Sequence, residues 1–154
     1  MNATKRKQIV RSSIFITLSL ATFLTVSKIT VVATESIDAT LMWTTGGAAK
    51  KGDYVNFTLD PEVVDNKTIV VTKIVACVDG ELLEARGKDY YCNNQYIGTA
   101  KATGRKGQNL IPFIWNGEIP TGKVFLSGKH RDSFDSKYWG FANENEITRV
   151  EKII

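Results

Sequence analysis

The N-terminal third of this sequence is dominated by an apolar segment, Ser12–Ala33, which one charge, Lys28, interrupts. The eleven residues before it contain four basic residues and no acidic one. A helix needs about 20 apolar residues to cross a bilayer, and Lys28 lies near enough to one end for its amine to reach the membrane surface. We therefore predict one transmembrane anchor at 12–33 behind a basic flank at 1–11. A cleaved signal peptide has the same pattern and is the alternative.

The distribution of charge predicts the orientation of the chain. Residues 1–33 contain five of the 20 Lys and Arg residues and no acid, which leaves fifteen basic against sixteen acidic residues in 34–154. Basic flanks stay on the cytoplasmic side of a membrane, so we expect 34–154 to be exported. The formal net charge of +4 therefore arises in the flank, and the sequence does not predict a nucleic-acid-binding surface.

The pattern after Ala33 indicates one mainly β domain, 34–154. Apolar and β-branched runs separated by glycine-containing turns predict the strands, and no long amphipathic helix is apparent. Residues 143–154 fit either a helix or a terminal strand, and Ala100–Asn109 is predicted to be a flexible polar loop. The predicted strands are Asp53–Leu59, Thr68–Cys77, Tyr90–Ile97, Leu110–Trp115 and Lys123–Leu126.

The two cysteines, Cys77 and Cys92, are separated by fourteen residues. Export would place them in an oxidising compartment, where such a pair is expected to form a disulfide. Two unpaired buried thiols are the alternative.

Few kinds of functional site fit the composition of the exported part. The single His and two separated Cys do not supply a metal-ligand set, and no glycine-rich phosphate-binding motif is present. We expect neither a metal nor another cofactor. A Ser-His-Asp triad would have to use His130 with Asp132 or Asp135, and it stays open as an alternative.

Lys73 lies inside the most apolar run outside the N-terminal segment, Ile69–Ala76. An unpaired ammonium in such surroundings is costly, and loss of hydration lowers the pKa of a lysine amine by several units. A neutral lysine can activate a serine hydroxyl. The alternative is a solvated lysine on the polar face of an edge strand.

Several segments resemble motifs of the type I signal peptidases, in that family's order. Ser127–Gly140 (SGKHRDSFDSKYWG) resembles the C-terminal signature, and its Ser-Phe-Asp-Ser core is most similar to the conjugative-transfer branch, the TraF-type peptidases. The run around Lys73 resembles the segment with the general-base lysine, and Thr34–Ile37 resembles the nucleophile segment. Gly52–Val55 and Asn116–Leu126 resemble the two segments between them.

The resemblance implies a signal-peptidase-like β fold and acyl transfer by a Ser/Lys dyad. Ser36 would be the nucleophile and Lys73 its general base. The Thr34 hydroxyl and the Ser36 backbone N–H would form the oxyanion hole.

Three further residues have implied supporting roles. Ser133 would orient the lysine amine, and Asp135 would pair with Lys137, which replaces the more usual Arg. The nucleophile segment departs from the family pattern, since Asp38 stands where a Pro is usual and Thr40 where a Gly is usual. An inactive chain, with Ser36 as a linker residue, is therefore an alternative.

The resemblance further implies a single-pass protein of a bacterial inner membrane, with its peptidase domain in the periplasm. It would cleave leader peptides of exported proteins, and the conjugative branch implies propilin substrates and the conjugative transfer machinery as partner. Two alternatives stay open. One is an inactive exported β domain that acts as a pilus-assembly or scaffold factor, and the other is an enzyme that uses His130.

Overall fold

The computed structural model describes residues 3–60, 68–105 and 107–154. The helices are α1 (Ala3–Val26) and the short α2 (Ser136–Trp139). The strands are β1 (Ile29–Val31), β2 (Leu41–Thr44), β3 (Tyr54–Leu59), β4 (Ile69–Cys77), β5 (Leu82–Arg86), β6 (Asp89–Cys92), β7 (Gln95–Thr99), β8 (Asn116–Glu118), β9 (Lys123–Ser127), β10 (Ala142–Asn143) and β11 (Ile147–Lys152). A 3₁₀ turn, Glu144–Glu146, lies between the last two strands.

The N-terminal helix is long and apolar. Residues Lys5–Val26 include an 18-residue window with a mean hydropathy of 1.8, none of it buried, so by length and composition the helix suits a membrane anchor. It begins and ends earlier than the anchor predicted at 12–33. Residues 29–31 instead form β1, whose β-branched Ile, Thr and Val favour a strand and pair with β2.

The rest of the chain confirms the mainly β prediction. Strands of one sheet follow the order β1-β2-β11-β3-β4-β9-β10, and those of a second sheet the order β7-β6-β5-β8. Neighbouring strands in both sheets are antiparallel. The long strand β4 lies next to the central strand β3 of the larger sheet, pairs with β3 and β9, and carries Lys73 opposite Val55.

Two predicted strands differ from the structure, and one segment that was left open is resolved by it. Residues 110–115 form no strand, because Pro112 has no backbone N–H to donate and Phe113 donates its own to the Lys137 carbonyl at 2.8 Å. The predicted strand Tyr90–Ile97 is two strands, β6 and β7, joined by a turn in which Asn93 and Asn94 have positive φ angles. The C-terminal segment 143–154, which fitted either a helix or a strand, contains strand β11 at Ile147–Lys152.

A disulfide between Cys77 and Cys92 links the two sheets. Cys77 ends β4 and Cys92 ends β6, and both residues are completely buried. Leu83, Tyr90 and Phe125 surround the bond in the core between the sheets. The larger sheet, which carries Lys73, is therefore covalently attached to the smaller sheet.

Replacing both cysteines with Ala should lower the free energy of unfolding by about 2–4 kcal/mol, because the link no longer restricts the unfolded chain. Urea unfolding of the full chain in detergent, monitored by tryptophan fluorescence, measures the change. Dithiothreitol should destabilise the wild type by a similar amount and leave the double variant unchanged. A wild type that is indifferent to the reductant throughout unfolding would contradict the prediction.

Candidate active site

The Lys73 side chain is buried in the domain, with only 2% of the residue exposed, so the solvated edge-strand interpretation is wrong. Its Nζ donates a hydrogen bond to Ser133 Oγ at 2.9 Å. Burial lowers the pKa of Lys73 to about 8, against an opposing effect of the Asp135 charge. A substantial fraction of this amine is therefore neutral in mildly alkaline solution.

Ser133 lies in the segment that connects β9 to α2. It is 3% exposed, and its backbone N–H donates to the His130 carbonyl at 2.9 Å. Two residues later, Asp135 caps the N-terminus of α2 by accepting a hydrogen bond from the backbone N–H of Lys137 at 3.1 Å. The cap fixes the conformation of the segment that presents the Ser133 hydroxyl to Lys73.

Asp135 and Lys137 form a buried ion pair. Lys137 Nζ lies 2.7 Å from Asp135 Oδ2, and the two side chains are 4% and 0% exposed. The same carboxylate oxygen accepts the backbone N–H of Gly128 at 2.9 Å. Because both charges are paired and hydrogen-bonded, the pair can lie inside the domain without the full cost of burying an isolated charge.

Ser36 lies in the irregular segment between β1 and β2 and is half-buried. The next residue, Ile37, is 5% exposed and packs with Met42 and Val150, which anchors the segment to the sheet. The Thr34 hydroxyl donates to Ser36 Oγ at 3.1 Å. Among the described residues, none accepts a hydrogen bond from the Ser36 backbone N–H, so this donor is available to a ligand.

Gly128 is the contact between the Ser36 and Ser133 segments. A Cβ atom at this position would overlap Ser133 Oγ and lie 2.8 Å from the Ser36 carbonyl oxygen, which is closer than a side chain tolerates. The Ser36 carbonyl also accepts the backbone N–H of Lys129 at 2.7 Å. Only glycine lets the Ser36 main chain approach the Ser133 hydroxyl, and through it Lys73, this closely.

The structure does not bring every predicted partner into direct contact. Within the described ranges, no hydrogen bond joins Ser36 Oγ to Lys73 Nζ, and Ser133 is the hydrogen-bond partner of the amine.

His130, the residue of the alternative triad, contacts an acidic residue on either side. His130 Nδ1 accepts the backbone N–H of Asp132 at 3.1 Å, and its Nε2 lies 3.8 Å from a Glu35 oxygen. No serine hydroxyl of the described residues hydrogen-bonds the His130 ring, which leaves a triad without a nucleophile in this arrangement.

Two contributors to the site were not predicted from the sequence, Gly128 and Lys129. Lys129 Nζ lies 2.9 Å from Asp38 Oδ1, so this residue holds the nucleophile segment by its side chain as well as by its backbone N–H. Hydrogen bonds from Tyr54 and Lys129 lower the pKa of Asp38 to about 2. The only sequence signal for Gly128 and Lys129 was that they lie within the C-terminal signature, Ser127–Gly140.

A groove of about 600 Å³ adjoins this cluster. Ile74 and Ala76 of β4 and Gly98 of β7 contribute to its lining, and Gly128 and Lys129 line it next to the Ser36 carbonyl. The lining offers main-chain groups and small or apolar side chains, which suit an extended peptide. It also contains His130 and five Lys and Arg residues: Lys51, Lys101, Lys129, Arg131 and Lys137.

Comparisons with known proteins show what this chain is similar to. The chain has a TM-score of 0.43 and 22% identity to the crystal structure of a signal peptidase I from Enterococcus faecalis V583, over 71% of this chain and 99% of that one. No curated protein sequence matches the chain significantly. The family model described as signal peptidase, peptidase S26, matches residues 5–154. Since that match includes the apolar helix and the whole β domain, the chain belongs to the signal peptidase family, S26.

Proposed function

We propose that this protein is a membrane-anchored leader peptidase that cuts by a Ser36/Lys73 dyad and matures propilins in conjugative transfer. Membership of the signal peptidase family makes it a serine peptidase with a leader-bearing substrate in general terms. The observation that carries the dyad is the buried amine of Lys73, whose pKa is lowered to about 8 and which Ser133 orients at 2.9 Å. The Ser36 main chain packs against the same hydroxyl across Gly128.

The proposed chemistry begins with attack of Ser36 Oγ on the scissile carbonyl carbon. Neutral Lys73 accepts the Ser36 proton and then transfers it to the leaving amine, and the acyl-enzyme that forms is hydrolysed by water. Ser36 reaches the amine when substrate is bound, since hydrogen bonds of catalytic groups are often longer in the free enzyme.

The negative charge that develops on the carbonyl oxygen in the transition state must be stabilised by hydrogen-bond donors. The Ser36 backbone N–H has no described partner, and the Thr34 hydroxyl lies 3.1 Å from Ser36 Oγ. One donor of this kind contributes about 3 kcal/mol to transition-state stabilisation. In the free protein the Thr34 hydroxyl donates to the nucleophile itself, and in the proposed mechanism it turns to the oxyanion.

The substrate and location follow from the anchor, the groove and the sequence resemblance. Helix α1, with its basic flank in the cytoplasm of a bacterium, would hold the domain at the periplasmic face of the inner membrane, where leader junctions of exported chains emerge. The groove beside Gly128 would take the extended junction. The Ser-Phe-Asp-Ser core of Ser133–Ser136 supports a propilin substrate and the conjugative transfer machinery as partner.

An inactive exported scaffold factor for pilus assembly is the second candidate. It is favoured by the missing hydrogen bond between Ser36 Oγ and Lys73 Nζ and by Asp38 in place of the usual Pro. Incubation of the full chain in detergent micelles with a propilin leader-junction peptide separates the two candidates. We expect one cut after a small residue, identified by mass spectrometry, whereas an intact peptide at high enzyme concentration would favour the scaffold.

The pH dependence of cleavage should follow the Lys73 amine. Only the neutral amine accepts the serine proton, so kcat/KM should rise about tenfold per pH unit below pH 8 and level off above it. Initial rates at low peptide concentration between pH 6 and pH 10 measure the profile. A profile already level at pH 7, or loss of the pH dependence in His130→Ala, would contradict Lys73 as the base.

A further inference from the structure

The described residues of the predicted flexible polar loop, Ala100–Arg105 and Gly107–Asn109, form defined hydrogen bonds with one another. Thr103 and Asn109 form a β-bridge, and the backbone N–H of Gly104 donates to the Gln108 carbonyl at 2.9 Å. Gly107 donates to the Gly104 carbonyl at 3.0 Å. These bonds close the loop into a turn that carries Arg105.

The Arg105 guanidinium contacts both segments that hold the candidate hydroxyl groups. Its Nη2 lies 3.0 Å from Glu35 Oε2, in the residue directly before Ser36. Its Nε lies 3.4 Å from Asp132 Oδ2, in the residue directly before Ser133. One side chain from a third part of the chain thus bridges the two segments.

Two neighbouring side chains contact this bridge. His130 Nδ1 lies 3.4 Å from Arg105 Nη2, and Lys101 pairs with Asp132. The hydrogen bond with Glu35 is the largest of the effects that raise the pKa of Arg105. A planar guanidinium with several donors can engage two carboxylates at fixed angles, which a lysine ammonium does not do.

We propose that Arg105 is a positioning residue of the peptidase, acting through Glu35 and Asp132 to hold the Ser36 segment in register with Ser133 and Lys73. The inference rests on the proposed function. Exposed ion pairs are individually weak, and 59% of the Arg105 side chain and 73% of the Glu35 side chain are exposed. Small displacements of a nucleophile nevertheless reduce the rate strongly, so we expect Arg105→Gln to lower kcat about fivefold and to leave KM within about twofold.

The test is a double-mutant cycle in the full chain in detergent, with kcat and KM measured on the leader-junction peptide. In a Glu35→Gln background, Arg105→Gln should lower kcat by much less than fivefold, because Glu35, the ion-pair partner of Arg105, is already replaced by a neutral residue. Arg105→Lys should recover part of the rate. Arg86→Gln is the matched control, since 48% of its side chain is exposed and it pairs with Glu84 on β5, away from the groove.

Each outcome decides between the proposals. Equal kcat for Arg105→Gln and Arg86→Gln, a change in KM alone, or an undiminished loss in the Glu35→Gln background would overturn the positioning role and leave the peptidase intact. Unchanged thermal melting of the variants would exclude unfolding as the cause of a loss. A wild type that does not cut the peptide would overturn the proposed function, and the role of Arg105 with it.

Discussion

Replacing Ser36 with Ala, or Lys73 with Met, should lower kcat for leader cleavage by at least about a thousandfold. Ser36→Ala removes the oxygen that forms the acyl-enzyme, and Lys73→Met keeps the length of the side chain but removes the proton acceptor. Since both residues act in one step, the double variant should be no slower than either single variant.

Single-turnover cleavage of the leader-junction peptide measures the loss. The matched controls are Ser27→Ala, at the end of α1, and Lys50→Met, an exposed lysine beside the same sheet. Both controls should keep wild-type rates. Cleavage that survives in Ser36→Ala, or in Lys73→Met, would exclude the dyad even if the protein proves to be a peptidase.

The stability of Lys73→Met distinguishes lost chemistry from lost folding. The folded-state pKa of about 8 lies below the ordinary value of 10.5, so the unfolded chain binds this proton more tightly. Lys73 therefore destabilises the fold fully below about pH 8, and the penalty disappears as the pH rises to about 10.5. We expect Lys73→Met to melt no lower than the wild type at pH 7. The variant loses the hydrogen bond to Ser133, but it also removes the destabilisation that the buried, protonated amine causes at this pH.

Asp135→Asn should destabilise the domain by about 3 kcal/mol. The amide still caps α2, but the buried Lys137 ammonium loses its neutralising carboxylate. Urea unfolding measures the loss, and Asp79→Asn, at an exposed position, is the control with the same chemical change.

A second substitution checks that the uncompensated charge is the cause. Adding Lys137→Gln to Asp135→Asn replaces the ion pair with two neutral groups and should recover most of the lost stability. Equal stability of the single and double variants would mean that the charge of Lys137 is not what destabilises Asp135→Asn.

Local sequence patterns predicted much of the architecture. The alternation in Asp53–Leu59 and the β-branched run Thr68–Cys77 predicted two strands, because side chains of a half-buried strand repeat every two residues. In the structure these are the paired strands β3 and β4. The pattern misplaced residues 110–115, where aromatic side chains resemble a strand. Phe113 and Trp115 instead pack against Phe141, with ring centroids 5.2 Å apart in both pairs.

The sequence by itself determined the apolar N-terminal helix and the mainly β class, since each depends on residues that are near one another in the chain, whereas the burial of Lys73 was decided by the tertiary structure. Only the tertiary structure decided how the candidate site is assembled. The contact of Gly128 with Ser36 and Ser133, and the bridge from Arg105 to Glu35 and Asp132, join segments separated by up to about a hundred residues. Such contacts depend on strand order and on the close approach of backbones, which no local pattern of hydrophobicity or charge encodes.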